Sequence, residues 1–99
     1  MQIEYKNKRI RDICQIASKA ERKYGINMAD RIHSCIDYLI AATSIDMLIQ
    51  NRIGRCHVLK GDRKGQYAMD LVHPYRLVFT VDKSGYIQIV EVLEIVDYH

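Results

Sequence analysis

Apolar positions fall at helical intervals through the first half of the chain and alternate through the second, and the period changes after Asn51. Residues 2–6 predict a short strand, with Ile3 and Tyr5 alternating against Glu4 and Lys6. Asn7 then suits a helix N-cap. Beyond it Ile10, Ile13, Cys14, Ala17 and Tyr24 recur on one helical face, opposite Lys8, Arg9, Arg11, Asp12, Lys19, Arg22 and Lys23. Gly25 predicts the stop, and Asn27 the start of a second helix that ends near Thr43 and lines Met28, Ile32, Cys35, Ile36, Leu39 and Ile40 on one side. Two such helices joined by one or two residues form an antiparallel hairpin. Ser44 followed by Ile45, Leu48 and Ile49 predicts one further short helix.

In the second half, residues 57–59 read as a short strand that leads into the loop Gly61-Asp62-Arg63-Lys64-Gly65. Tyr67, Met69 and Leu71 alternate with Ala68, Asp70 and Val72, which predicts a strand closed by Pro74, since proline cannot donate to a ladder. Residues 75–81 form the next strand, and Asp82-Lys83-Ser84-Gly85 its hairpin turn. Residues 86–96 are the longest β-prone run, and that length predicts the central strand. The fold class is α+β: an N-terminal strand and an α-helical hairpin packed on a mainly antiparallel β-sheet, in a single domain of residues 1–99.

At 99 residues the chain holds one core. No segment approaches the roughly 18 apolar residues of a membrane span, and the start Met1-Gln2-Ile3-Glu4 has no signal-type run, so a cytoplasmic location is expected. Cys14, Cys35 and Cys56 are odd in number and lack CxxC spacing, which argues against a disulfide framework and a zinc site. Cys14 and Cys35 fit as small core residues; Cys56 is open. The charge is more telling. Between Arg52 and Arg76 six Lys or Arg stand against Asp62 and Asp70, whereas the whole chain carries only +3. The same stretch holds His57 and His73, with Tyr67 and Tyr75 interleaved. Clustered cations bind phosphate oxygens and flat rings stack on bases, so the segment suits a nucleic acid.

Two constellations carry candidate chemistry: His57 with Lys60 at the rim of the glycine loop, and Tyr98 with His99 at the end of the sequence. Arg76 stands near the start of a strand. Cutting RNA without a metal takes a base for the 2′-OH proton, cations for the charge on the phosphate, and an acid for the leaving 5′ oxygen. No Asp/Glu cluster with metal-ligand spacing stands near, so neither metal nor cofactor is expected. Each residue also has an ordinary reading. His57 and His73 suit structural or surface roles, and Lys60, Arg63 and Lys64 a solvated turn. Arg76 would balance Asp70 or Glu91, and Tyr67 and Tyr75 would pack. On residues alone the reading stops at a small basic domain that binds nucleic acid.

Three blocks extend it. His57-Val58-Leu59-Lys60-Gly61-Asp62-Arg63-Lys64-Gly65-Gln66-Tyr67, Tyr75-Arg76-Leu77-Val78-Phe79 and Ile95-Val96-Asp97-Tyr98-His99 resemble, in order and spacing, the HigB or "killer protein" branch of the RelE/ParE toxin superfamily. The resemblance implies a RelE-like fold and a toxin of a type II toxin-antitoxin pair. It further implies a ribosome-dependent mRNA endonuclease that works without metal, the 2′-OH attacking the adjacent phosphate to give a 2′,3′-cyclic phosphate and a 5′-OH. The family's functional residues fall on His57, Lys60, Arg76, Tyr98 and His99. Arg76 and Lys60 would stabilise the phosphorane, His57 and His99 would be base and acid in either order, and Tyr98 would hold a base. Arg52, Arg55, Arg63, Lys64, Tyr67 and His73 are candidates for RNA or ribosome contact. Implied partners are a HigA-like helix-turn-helix antitoxin, the ribosome and mRNA, with operator DNA reached only through the antitoxin and no membrane. For Tyr98 and His99 to reach one site, the last strand must end or twist after Val96. The alternatives are a ParE-like inhibitor of DNA gyrase and a non-catalytic RNA-binding module.

Overall fold

The computed structural model describes residues 1–97. Its first strand, β1 (Gln2–Tyr5), runs into α1 (Lys8–Gln15), which Asn7 caps by accepting the Ile10 N–H at 3.0 Å. The single helix expected from Asn7 to Tyr24 is two. The β-branched Ile16 sits in extended geometry (φ −112°, ψ 100°), closes α1 with its N–H on the Asp12 carbonyl, and opens α2 (Ala17–Tyr24) with its own carbonyl. Lys19 spans the break, 3.1 Å from an Asp12 oxygen, and its hydrogen bond holds the Asp12 carboxyl below the usual range. Gly25, at φ 88° and ψ 167°, ends α2 and starts α3 (Ile26–Ala41) with no residue between, one position earlier than Asn27. The expected hairpin therefore has a broken first arm. On α3, Met28, Ala29, Ile32, Cys35, Ile36 and Leu39 are buried, whereas Ile40, expected on that side, is 55% exposed. Ser44 caps α4 (Ile45–Gln50) through the Met47 N–H.

Among the described residues, five strands form one sheet in the order β1-β5-β4-β3-β2. β2 is His57–Val58, β3 Tyr67–Asp70, β4 Tyr75–Asp82 and β5 Ile89–Asp97. β5 runs parallel to β1 and the other pairs are antiparallel, so the expected α+β class holds, with helices on one face. The middle position belongs to β4; β5, expected there, lies beside it. β5 also starts later than expected. Asp82 pairs with Ile89, leaving residues 83–88 as the connection in place of a four-residue turn, because Asp82 accepts the Ser84 N–H in a side-chain-built turn. β3 stops at Asp70, short of Val72, because a tight turn from Val72 to Tyr75 follows, closed by the Tyr75 N–H on the Val72 carbonyl.

One irregularity sets the faces. Val78 pairs with Glu94 but Phe79 pairs with Val92, so Leu93 is an extra residue in β5. Before it Val90 and Val92 point at the helices; after it Ile95 does, and Glu94 and Val96 point away. The helix-side core gathers Met69, Leu77, Phe79, Val90 and Val92 under Ile32, Leu39, Ile45 and Leu48. On the outer face a small apolar floor of Leu59, Ala68 and Val78 is completed by Leu93 and Val96.

Cys56 joins Cys14 and Cys35 in the core, which settles its role as packing. Burial pushes all three thiols up to about 12, from an ordinary 9.0. Unfolding restores the ordinary value, so between these limits the folded chain holds more protons than the unfolded one. The thiols' contribution to stability is complete below pH 9 and is lost as pH rises towards about 12. Urea midpoints measured from about pH 8 to about pH 11 are expected to fall, and to fall less after Cys35→Ala.

Candidate nucleic-acid interface

The candidate site is built on the outer face, where register decides which side chains meet. His57 pairs with Ala68, Ala68 with Val78, and Asp70 with Arg76. All are outward positions. Arg76 thus stands directly across from Asp70, about 5 Å away at Cβ, and His57 lies on the diagonal, about 7 Å from Asp70.

The segment before β2 is held in unusual geometry. Arg52, Gly54 and Arg55 have φ of 54°, 60° and 52°, the left-handed region that costs an L-residue about 1–2 kcal/mol. Gly54 fits because a Cβ there would stand 2.5 Å from Cε of the buried Met69. Arg55 has no such excuse, and its backbone turn has two consequences. Its carbonyl accepts a hydrogen bond from His57 Nδ1 at 2.7 Å, and its Nε reaches Asp70 Oδ2 at 3.3 Å. A carbonyl can only accept, so Nδ1 carries the proton and, in the neutral ring, Nε2 keeps a lone pair available as a base. Arg76 Nε stands 3.5 Å from the other Asp70 oxygen, Oδ1, which is buried and receives no hydrogen bond. Asp70 therefore lies between two guanidiniums. Beside it opens a cleft of about 240 Å³ lined by Arg55, Asp70, His73, Pro74, Tyr75 and Arg76.

Lys60 is exposed at the entry to a 3-10 turn, Gly61–Arg63. Arg63 donates to Gln66 Oε1 and to Glu94 Oε1, each at 3.0 Å, and so ties the loop that carries Lys60 to β5.

The structure brings Arg55, His73 and Arg76 to one cleft, with His57 at an outward position of the same sheet face, whereas Lys60 lines a different cleft. It does not bring Tyr67 there: that ring lies on the helix side, stacked on Phe79 with centroids 5.9 Å apart. Tyr75 meets Tyr24 edge-on, as its packing reading expects. Lys64 is exposed in a second cleft, with Val58, Lys60, Gly61 and Tyr67, and Arg52 is exposed after α4. Tyr98 and His99 lie outside the described residues. β5 itself runs on to Asp97, paired with Tyr75, so its ladder does not end at Val96. Two carboxylates were missed as site members. Asp70 was legible as the one acid in a strand facing Arg76, and Glu94 as a charge within an otherwise apolar run.

No protein-family model and no curated protein matches the chain. Solved structures do. A YoeB/ParE toxin from Agrobacterium tumefaciens superposes with a TM-score of 0.65 at 20% identity, over 100% of this chain and 99% of that one. The chain shares that structure's fold, helices packed on a mostly antiparallel five-stranded sheet. A YoeB-YefM complex from Staphylococcus aureus matches with a TM-score of 0.55 at 21% identity, over 100% and 97%. The heterotetrameric YoeB-YefM toxin-antitoxin complex from the same organism gives the same values. The neighbours carry the YoeB and ParE names, not HigB. Among the described residues no helix is long and apolar enough to cross a membrane.

The backbone of Arg55 yields a direct test. Arg55→Gly relieves the left-handed strain and Arg55→Ala does not, so the glycine variant should be the more stable of the two by about 1 kcal/mol in urea titrations. Both should lose the ion pair with Asp70, so any functional loss they share belongs to the guanidinium.

Proposed function

We propose that this chain is a RelE/ParE-superfamily toxin that cleaves mRNA on the ribosome. The observation that carries the reading is His57, its Nδ1 fixed by the Arg55 carbonyl, on the same face as Arg55 and Arg76. A base beside two guanidiniums is what 2′-OH attack on a phosphodiester requires. His57 Nε2 takes the 2′-OH proton while Arg76, with Lys60 from the loop, offsets the charge gathering on the phosphorane oxygens. The 5′ oxygen leaves with a proton from His99, a role that rests on the resemblance, as does Tyr98 on a base. The products are a 2′,3′-cyclic phosphate and a 5′-OH.

The names of the solved neighbours favour a YoeB-like toxin over a HigB-like one, and an antitoxin of the YefM kind over a HigA-like protein as partner. An mRNA target on ribosomes implies work in the cytoplasm. The ParE part of the first neighbour's title supports one second reading, inhibition of gyrase.

Inducing the protein in growing cells and mapping mRNA 5′ ends separates the readings. New 5′-OH ends are expected within minutes. His57→Ala should reduce them by about 10²- to 10⁴-fold, the usual cost of losing a general base. Intact message with relaxed plasmids or broken DNA would instead establish the gyrase reading.

A further inference from the structure

The geometry points to Asp70 as a positioning residue that joins Arg55 and Arg76 into one receptor for a single RNA phosphodiester. Its carboxylate also stands, between binding events, where the phosphate would draw both guanidiniums. This rests on the nuclease reading for its substrate, although not for its electrostatics.

Three observations support it. Each Asp70 oxygen faces one Nε, Oδ2 at 3.3 Å from Arg55 and Oδ1 at 3.5 Å from Arg76. Two like charges repel, and a carboxylate shared between them offsets that repulsion. Second, Oδ1 is buried with no hydrogen bond, a costly position for a carboxylate whose only task is packing. Third, Arg55, like Arg52 shortly before it, has a left-handed backbone, and strain kept at non-glycine residues marks a geometry the rest of the structure enforces. The cleft beside Asp70, between Arg55, His73 and Arg76, is open to a phosphodiester.

A structural carboxylate and a positioning one differ in what its removal does to binding and to rate. In Asp70→Asn the side chain keeps its shape and loses its charge. The variant is expected to bind a short 2′-O-methyl RNA, which cannot be cut, about fivefold more tightly at low salt. Its log K against log salt slope should steepen by about 0.7, one phosphate neutralised in a single strand. Single-turnover cleavage at saturating RNA should at the same time fall about 10- to 100-fold, because the arginines are no longer aligned. Asp70→Glu should restore the wild-type salt slope. Arg55→Lys, at an exposed residue, serves if Asp70→Asn does not fold: it should keep the slope and lose the rate.

Weaker binding in Asp70→Asn, or an unchanged slope, overturns the inference even if the wild type cuts mRNA. If Asp70→Asn fails to fold, an Arg55→Lys variant that cuts at the wild-type rate overturns it. If wild-type protein cuts nothing but the slope steepens as stated, the nuclease reading fails and the receptor stands. No binding of the RNA by either protein overturns the receptor.

Discussion

The phase of β5 governs the rest of the structure. Alternation from Val90 and Val92 would carry Glu94 and Val96 into the core and turn Ile95 outward. Leu93, the residue β4 leaves unpaired, reverses that order. Ile95 goes under the helices and Glu94 comes out to meet Arg63. A carboxylate buried among Phe79 and Leu77 would cost several kcal/mol, so the bulge protects the core and supplies the outer face with an anchor in one step. The loop bearing Lys60 is then held from both ends, by the Leu59 N–H on the Gln66 carbonyl and by Arg63 on Glu94.

The site's electrostatics follow from pairing. Read along the sequence, residues 52–76 look like a plain cationic surface. Folded, Arg55 and Arg76 share Asp70, and Arg63 is taken by Glu94, so much of the apparent field is spent at short range. Arg52, Lys60 and Lys64 remain exposed and, among the described residues, in no ion pair. They suit long-range attraction of a polyanion, whereas the paired arginines suit contact at defined angles.

Much of this was legible in the sequence where one local force dominates. Asn7 and Ser44 cap helices as their chemistry predicts, Gly25 turns the chain, and the alternation in β3 and β4 fixes which residues face the core. The break at Ile16 was not legible, since Ile10, Cys14 and Ala17 keep a helical spacing through it, and it lies where the chain turns to lay α2 against α3. The bulge was hidden for a related reason. A single residue of slip is written in pairing with β4, not in the composition of β5. The outer-face cluster was half legible: His57 and Arg76 stand in the motif blocks, but the ion pair of Arg55 with Asp70 depends on Arg55 adopting a backbone that nothing in its residue type announces.

The sheet also has a timing. Gln2 pairs with Ile89, so the first strand waits for the last one before its ladder forms, across almost the full length of the chain. Such non-local closure is slow compared with the helices between, which need only neighbours. Glu94 and the far half of β5 arrive with the same late strand. Until it docks, Arg63 has no anchor in β5 and the outer face lacks Leu93 and Val96 from its floor. A nascent chain would therefore carry helices and a partial meander well before it carried a finished outer face, and completion of that face would coincide with completion of the fold.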